Sequence, residues 1–138
     1  MNLEKMLGDF FEQDSLDKLT ADAGELLGCP LLVVDDTFHI VSSCKPSGFC
    51  DRVFDNAVTR GEITYEVVSM LSSRADKTEP LYVAIQDSAI MRLFMPLVSG
   101  GLLVGYLVCL DVHADLRQTA EGMLRWIKNI LAKQLYAE

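Results

Sequence analysis

Three apolar runs separated by short polar turns constrain the fold of this chain more than any other feature. The runs span residues 81–85, 89–98 and 102–111, and the turns between them are Gln-Asp-Ser at 86–88 and Ser-Gly-Gly at 99–101. Turns of this kind join neighbouring antiparallel strands, whereas a parallel pair needs a crossover of about a dozen residues or more. The pattern therefore predicts an antiparallel meander.

A shorter hairpin is predicted upstream of the meander. Apolar runs at 31–34 and 38–41 flank the turn residues Asp-Asp-Thr at 35–37, which is the pattern of two strands with a tight connection. After the hairpin, apolar residues recur at helical spacing in segments 49–61 and 63–71. We therefore expect one sheet of about five strands, with helices inserted between the second and third strands.

Further helices are predicted before and after the sheet. Helical stripes run through residues 3–11 and 16–27, and Gly28 follows at the position where a left-handed residue is favoured. A long helix is predicted from about Ala114, with apolar steps close to a coiled-coil repeat. These elements make an α+β fold with one antiparallel sheet. The terminal helices should pack on one face, and the inserted helices should cover the other and leave a pocket beneath them.

Length and charge limit the function classes. A chain of 138 residues fits one domain, residues 1–138, and its net charge of −8 disfavours direct binding to nucleic acid. The start of the chain does not have the pattern of a secretory signal. Its most apolar run, residues 93–110, is interrupted by Pro96 and the glycine turn, so neither half reaches the roughly 20 residues of a membrane helix. We expect a cytoplasmic domain without a membrane partner, and reduced cysteines.

Two segments resemble a known family. Residues 16–43, above all Ala-Gly-Glu-Leu-Leu-Gly-Cys-Pro-Leu-Leu-Val-Val-Asp at 23–35, resemble the opening of GAF-like sensory domains. Such domains stand at the N-terminus of bacterial transcription regulators of the PucR and sugar-diacid-regulator type. Met-Pro-Leu-Val at 95–98, followed by Gly-Leu-Leu-Val-Gly-Tyr-Leu at 101–107, is similar to the last hairpin of many GAF domains. The likeness covers roughly residues 15–136 and implies a GAF/PAS-like fold.

The resemblance implies a regulatory sensor domain that carries out no reaction and needs no cofactor. It would bind a small effector or a partner, form a homodimer, and control a DNA-binding domain further along the chain. This sequence contains no DNA-binding segment and ends within a predicted helix, so we expect it to be a piece of a longer regulator. The expected dimer contacts lie on the terminal helices, at Leu3, Leu7, Met123, Ile127 and Ile130.

Arg92 is the main candidate for ligand binding. It shares a face of its predicted strand with Ile90 and Phe94, and a cation on an apolar face needs an explanation. Three roles are open: it binds a carboxylate or phosphate of the ligand, it pairs with an acidic side chain, or it extends to solvent. Phe94, Tyr65 and Tyr82 are the other expected ligand contacts.

Cys44 and Cys50 support a rival function. They flank a short loop, and some stand-alone GAF domains are reductases of free methionine sulfoxide that use loop cysteines. Such chemistry needs a thiolate of low pKa and a resolving thiol. No second cysteine pair at zinc-binding spacing is present, so no metal site is expected. A third alternative is a dimerisation or adaptor domain with a filled core and no pocket.

Overall fold

The computed structural model describes residues 15–116 and 121–137 and contains four helices and five strands in that part of the chain. The helices are α1 (Leu16–Leu27), α2 (Arg52–Arg60), α3 (Tyr65–Ser72) and α4 (Glu121–Ala137). The strands are β1 (Leu31–Asp35), β2 (Ile40–Cys44), β3 (Leu81–Val83), β4 (Arg92–Ser99) and β5 (Leu102–Leu110). The predicted stripe at 3–11 lies outside the described residues.

The strands form one antiparallel sheet in the order β2-β1-β5-β4-β3. Each neighbouring pair is antiparallel, so the predicted meander and the predicted hairpin are both present. The last strand of the meander, β5, also pairs with β1 and so joins the two units. The α+β fold with a single five-stranded antiparallel sheet is therefore confirmed.

The turn between β1 and β2 is longer than predicted. One carboxylate oxygen of Asp35, Oδ1, accepts hydrogen bonds from the backbone N–H groups of Thr37 and His39 and from the Thr37 hydroxyl. Phe38 has a left-handed φ of 68° and lies in the turn. Because the Asp35 side chain organises a longer turn, β2 begins at Ile40, two residues later than the predicted start at Phe38.

The segment between β3 and β4 also differs from its prediction. β3 ends at Val83 and β4 begins at Arg92, so residues 84–91 form a loop in place of the strand ends expected there. Asp87 in this loop has a left-handed φ of 70°. The loop brings Ser88 and the carbonyl of Ile90 to the Arg92 side chain, and this polar contact replaces further strand pairing.

Side chains alternate between two apolar layers, one on each face of the sheet. In β4, Leu93 and Met95 pack with α1 and α4, while Phe94 packs with α2 and α3. Helices therefore cover both faces of the sheet. The sequence of β4 predicts this, because the residues that point to each face are largely apolar. The terminal and inserted helices lie on opposite faces of the sheet, as expected.

The last helix packs its predicted dimer residues into the core of the same chain. Ile127 is 0% exposed and Ile130 is 8% exposed, and both belong to the layer between α4 and the sheet. The expectation that these two side chains form a dimer seam is therefore corrected, since their surface is used within the subunit. Leu3 and Leu7 lie outside the described residues, as does the side chain of Met123.

The approach to α4 is fixed by Asp111. Its Oδ1 accepts hydrogen bonds from the N–H groups of Asp115 and Leu116. Ala114 has a left-handed φ of 57° and therefore lies outside the helix predicted to begin near it. Among residues 15–116 and 121–137, every helix falls short of the length and apolar content required to cross a bilayer.

Candidate functional site between the sheet and the inserted helices

Arg92 forms the polar centre of the apolar layer beneath α2 and α3. The alternation of β4 directs its side chain toward this layer, where it is 3% exposed. Its Nη2 donates to Asp51 Oδ2 at 2.7 Å. Its Nη1 donates to Ser88 Oγ and to the carbonyl of Ile90, each at 2.7 Å. Of the three roles left open by the sequence, the structure shows pairing with an acidic side chain.

Asp51 links this arginine to α2. Its Oδ2 also accepts from the N–H of Phe54 at 2.9 Å, so Asp51 is the N-cap of α2. Its Oδ1 accepts from the Ser88 hydroxyl at 2.8 Å. Burial opposes ionisation of this carboxyl, but the hydrogen bonds from Phe54, Ser88 and Arg92 outweigh burial and hold the pKa of Asp51 below its ordinary value. The carboxylate is thus an anion held by donors from three residues.

A small cavity lies beside the ion pair. Its volume is about 30 Å³, which is room for about one water molecule. The sheet contributes Leu32, Phe94 and Val108 to its wall, and the inserted helices contribute Phe54 and Val67. The space is therefore apolar apart from two polar lining residues, Arg92 and Thr64.

Thr64 carries a buried hydroxyl that lacks a hydrogen-bond partner among the described residues. Thr64 is the N-cap residue of α3, where a hydroxyl usually accepts from an N–H of the first turn, yet its side chain makes no capping bond. An unsatisfied buried hydroxyl is unfavourable by about 1–3 kcal/mol. The Oγ1 of Thr64 is therefore an unpartnered polar group in the wall of a cavity whose only other polar lining residue, among those described, is Arg92.

A groove on the outside of α2 shares a wall with the cavity. It has a volume of about 260 Å³ and a polar lining that includes Arg52, Arg60 and Glu66. Val53 and Thr64 line both the groove and the cavity. These two residues therefore form the boundary between the groove and the cavity.

The predicted ligand contacts are only partly brought together. Phe94 lines the cavity beside Arg92. Tyr65 is 84% exposed and does not line the cavity. Tyr82 packs against the layer on the opposite face of the sheet, where its hydroxyl donates to Asp111 Oδ2 at 2.6 Å. The structure therefore assembles two of the four predicted residues in one site.

Sequence reasoning missed Asp51, Ser88 and Thr64. An acidic residue directly before the helical stripe that includes Val53 and Phe54 is a recognisable N-cap signal, and it identifies Asp51 as a helix start. It does not identify Asp51 as the partner of Arg92, because the two residues are 41 positions apart in the chain. The unused hydroxyl of Thr64 carries no sequence signal, since Thr is an ordinary capping residue.

The cysteines predicted for a thiol reductase lie in unlike surroundings. Cys44 ends β2 and packs against Gly24 of α1, whereas Cys50 is exposed. Burial raises the pKa of the Cys44 thiol, and the nearby Cys29 and Glu25 raise it further. An attacking thiolate requires the opposite shift. These surroundings therefore give no support to Cys44 as a nucleophile.

The two remaining cysteines belong to the core. Cys29 and Cys109 are both buried beneath the terminal helices. Their mutual hydrogen bond raises the pKa of Cys109 well above its ordinary value, and burial acts in the same direction. In the part of the chain that the structure describes, no group of His, Cys, Asp and Glu side chains has the arrangement of a metal site.

Comparison with known proteins finds a similar solved structure. No family model matches this chain, and no curated protein sequence matches it. The crystal structure of the cyanobacteriochrome TePixJ GAF domain is similar to this chain over 88% of its length and over 87% of the GAF domain. The TM-score is 0.51 at 15% sequence identity. The chain therefore has a GAF-like fold.

Proposed function

We propose that this chain is a regulatory sensor domain that binds a small effector between the sheet and the inserted helices. One observation carries the proposal: a buried arginine stands in an apolar layer beside a cavity that contains an unpartnered hydroxyl. Apolar side chains of similar size hold helices on sheets as well as a buried ion pair does. A few polar groups on an apolar wall are instead the usual composition of a ligand site.

The proposed site needs α2 to move before it can hold a ligand. Sites for small molecules usually have volumes of about 300 Å³ or more, and the cavity is about 30 Å³. Its shared wall with the outer groove is formed by Val53 of α2 and Thr64 of α3. In this proposal the effector separates these residues and stabilises an open arrangement that is a minor state of the free protein.

A route for the output leads from the site to the last helix. The N–H of Asp111 donates to the carbonyl of Met91, next to Arg92, at 2.9 Å. The carboxylate of Asp111 then accepts from Asp115 and Leu116 on the approach to α4. A shift of β4 caused by a ligand at Arg92 would therefore change the attachment of the segment that leads into α4.

We extend the proposal to a homodimer that acts in the cytoplasm on a downstream DNA-binding domain of a bacterial transcription regulator. The likeness of residues 23–35 to the opening of PucR-type sensory domains supports this part. The net charge of −8 fits a domain that leaves DNA contact to another segment. In this arrangement the subunits meet on surfaces of the terminal helices that do not include Ile127 and Ile130.

A second candidate function is a dimerisation or adaptor domain that binds no small molecule. The specific observation in its favour is the small cavity volume of about 30 Å³. In this case Arg92 and Asp51 would serve only to hold α2 on the sheet. The sensor function and the adaptor function differ in whether a small molecule binds between α2 and the sheet.

Native mass spectrometry of the protein purified from its source cells tests the proposal. We expect a dimer that carries one additional small mass per subunit, which is released on gentle activation. The same preparation of Arg92→Met should lose this mass, while Leu102→Ser, a change at an exposed β5 residue, should keep it. A bare wild-type dimer under these conditions would contradict effector binding and support the adaptor function.

A further inference from the structure

We propose that the effector is a small molecule with a single carboxylate, which replaces the carboxylate of Asp51 on Arg92 and Ser88. This inference rests on the proposed function and names the ligand class of its site. Asp51 then has a second role besides capping α2. It occupies the effector position in the free protein.

The donors that would hold the effector carboxylate are already arranged around one. Ser88 Oγ lies 2.8 Å from Asp51 Oδ1, and Arg92 Nη2 lies 2.7 Å from Asp51 Oδ2. Both donors belong to the segment 88–92, and Arg92 Nη1 also donates to Ser88 Oγ. Asp51 comes from a different segment, so removing it leaves a cation and a hydroxyl oriented for another carboxylate.

Charge selects one carboxylate over a phosphate. Among the residues that line the cavity, Arg92 carries the one cationic side chain. A phosphate ester carries about −1.5 to −2 at neutral pH, and its second charge would be unpaired in an apolar space. A monocarboxylate brings the same charge as Asp51 and leaves the local balance unchanged.

The rest of the molecule is defined by the cavity. Its wall is formed largely by aliphatic and aromatic side chains, including Leu32, Phe54 and Val108, which favour a short apolar body. The unpartnered Oγ1 of Thr64 offers one hydrogen bond, which suits a hydroxyl or keto group on that body. We therefore infer a short-chain carboxylic acid, with or without one such polar substituent.

Replacement of the Asp51 carboxylate by the effector carboxylate would remove the N-cap of α2. When Asp51 leaves, the N–H of Phe54 loses its acceptor, and the first turn of α2 becomes uncapped. The other end remains tied to the β1–β2 hairpin, because Gly61 accepts from Ile40 N at 2.8 Å and Ile63 N donates to Phe38 O at 3.3 Å. The helix would thus open at its N-terminus, on the side where Val53 separates the groove from the cavity.

Rescue by an added carboxylate tests the inference. Asp51→Gly removes the side chain and keeps an acceptable N-cap residue, so it leaves a space the size of acetate beside Arg92. We expect sodium acetate or butyrate to raise the Tm of this variant by about 4 °C more than sodium chloride at equal ionic strength. The double variant Asp51→Gly/Arg92→Met should show no difference between the salts. A folded Asp51→Gly variant that responds equally to acetate, butyrate and chloride would overturn the inference.

A titration of the wild-type protein covers the case in which Asp51→Gly does not fold. In NMR spectra, short-chain and hydroxy- or keto-substituted carboxylates should shift the Phe54 amide signal, which reports the loss of its acceptor. Absence of any such shift across the series would overturn the inference. If native mass spectrometry then found an uncharged molecule whose binding depends on the same face, the sensor function would stand without the carboxylate. If the titration gave no shift and native mass spectrometry found no bound molecule, both proposals would be overturned.

Discussion

Arg92 Nη2 and Asp51 Oδ2 lie 2.7 Å apart, although the two residues are separated by 41 positions in the chain. The side chains are 3% and 9% exposed, so the contact is shielded from solvent. It joins β4 to the first turn of α2 across the apolar layer. The same contact therefore holds the inserted helix in place and defines the polar part of the candidate site.

Replacing Arg92 by Met should lower the free energy of unfolding by about 3 kcal/mol, since loss of one partner leaves a buried charge uncompensated. Urea unfolding followed by circular dichroism measures the change. The double variant Asp51→Ser/Arg92→Met removes the unpaired charge but retains a capping side chain. It should be more stable than Arg92→Met alone, and an equal or larger loss in the double variant would refute a charge-based effect.

Acid should destabilise the wild-type protein more steeply than Asp51→Asn. The folded-state pKa of Asp51 lies below the ordinary value of 3.8, so its stabilisation is present above that pH and is lost as the pH falls toward the lowered value. Urea midpoints between about pH 5 and pH 3 should therefore decline less in Asp51→Asn.

Asp35 provides an internal reference for that comparison. Although burial opposes its ionisation, hydrogen bonds from His39 and Thr37 also lower its pKa. This contribution is common to the wild-type protein and Asp51→Asn, and it cancels in the difference between their pH profiles. Identical profiles would mean that Asp51 is not held as a carboxylate in the folded protein.

Gly24→Ala should destabilise the protein by about 1–3 kcal/mol, through overpacking. A Cβ at this position would lie 2.6 Å from the Cys44 Sγ, so either the Cys44 side chain or the packing of α1 on β2 would have to shift. Cys44→Ala in the same chain removes the clash and should restore most of the loss in thermal unfolding. Gly122→Ala in α4 meets no neighbouring atom within 4 Å and should instead stabilise by about 0.5–1 kcal/mol. Equal destabilisation by both glycine variants would contradict the packing argument.

Tyr82→Phe should weaken the segment that leads into α4. The change removes a hydrogen bond of 2.6 Å to the buried carboxylate of Asp111, which contributes about 1.5 kcal/mol or more. Hydrogen exchange should become faster at the amides of Asp115 and Leu116, because both donate to the same carboxylate. Tyr136→Phe, a change at a residue that is 60% exposed, should leave these amides unchanged. Unaltered exchange in Tyr82→Phe would show that Asp111 is held without Tyr82.

The sequence was sufficient to predict the sheet because its strands have strong local signals. The apolar runs around Phe94 and Leu107 have strand spacing, and the turns between them contain glycine and polar residues. The boundaries were less predictable, because side-chain hydrogen bonds between residues two to four positions apart set them, and the spacing of apolar residues does not show such bonds. The hydrogen bonds of Asp35 make β2 begin later than predicted. Where β4 was expected to begin, Ser88 and Ile90, two residues that contact Arg92, lie in a loop.

The candidate site was predictable only at Arg92 and Phe94. A cation on an apolar strand face is visible in the sequence, and so is its aromatic neighbour two positions away. The partner Asp51 depends on how α2 crosses the sheet, which no local pattern specifies. Tyr65 was wrongly grouped with the site because helix position alone does not give the direction of a side chain at the first turn. Tyr82 belongs to the opposite face, as its register with Leu93 requires.

The sheet order also determines when the domain can assemble during synthesis. β5 lies between β1 and β4, yet it is the last of the five described strands to leave the ribosome. Until Leu110 has emerged, the β1–β2 hairpin and the β3–β4 pair have no strand in common, and the apolar faces of both remain unpaired. The nascent chain therefore carries unpaired edges at β1 and β4 until β5 has been made, and closure of the sheet waits for that strand.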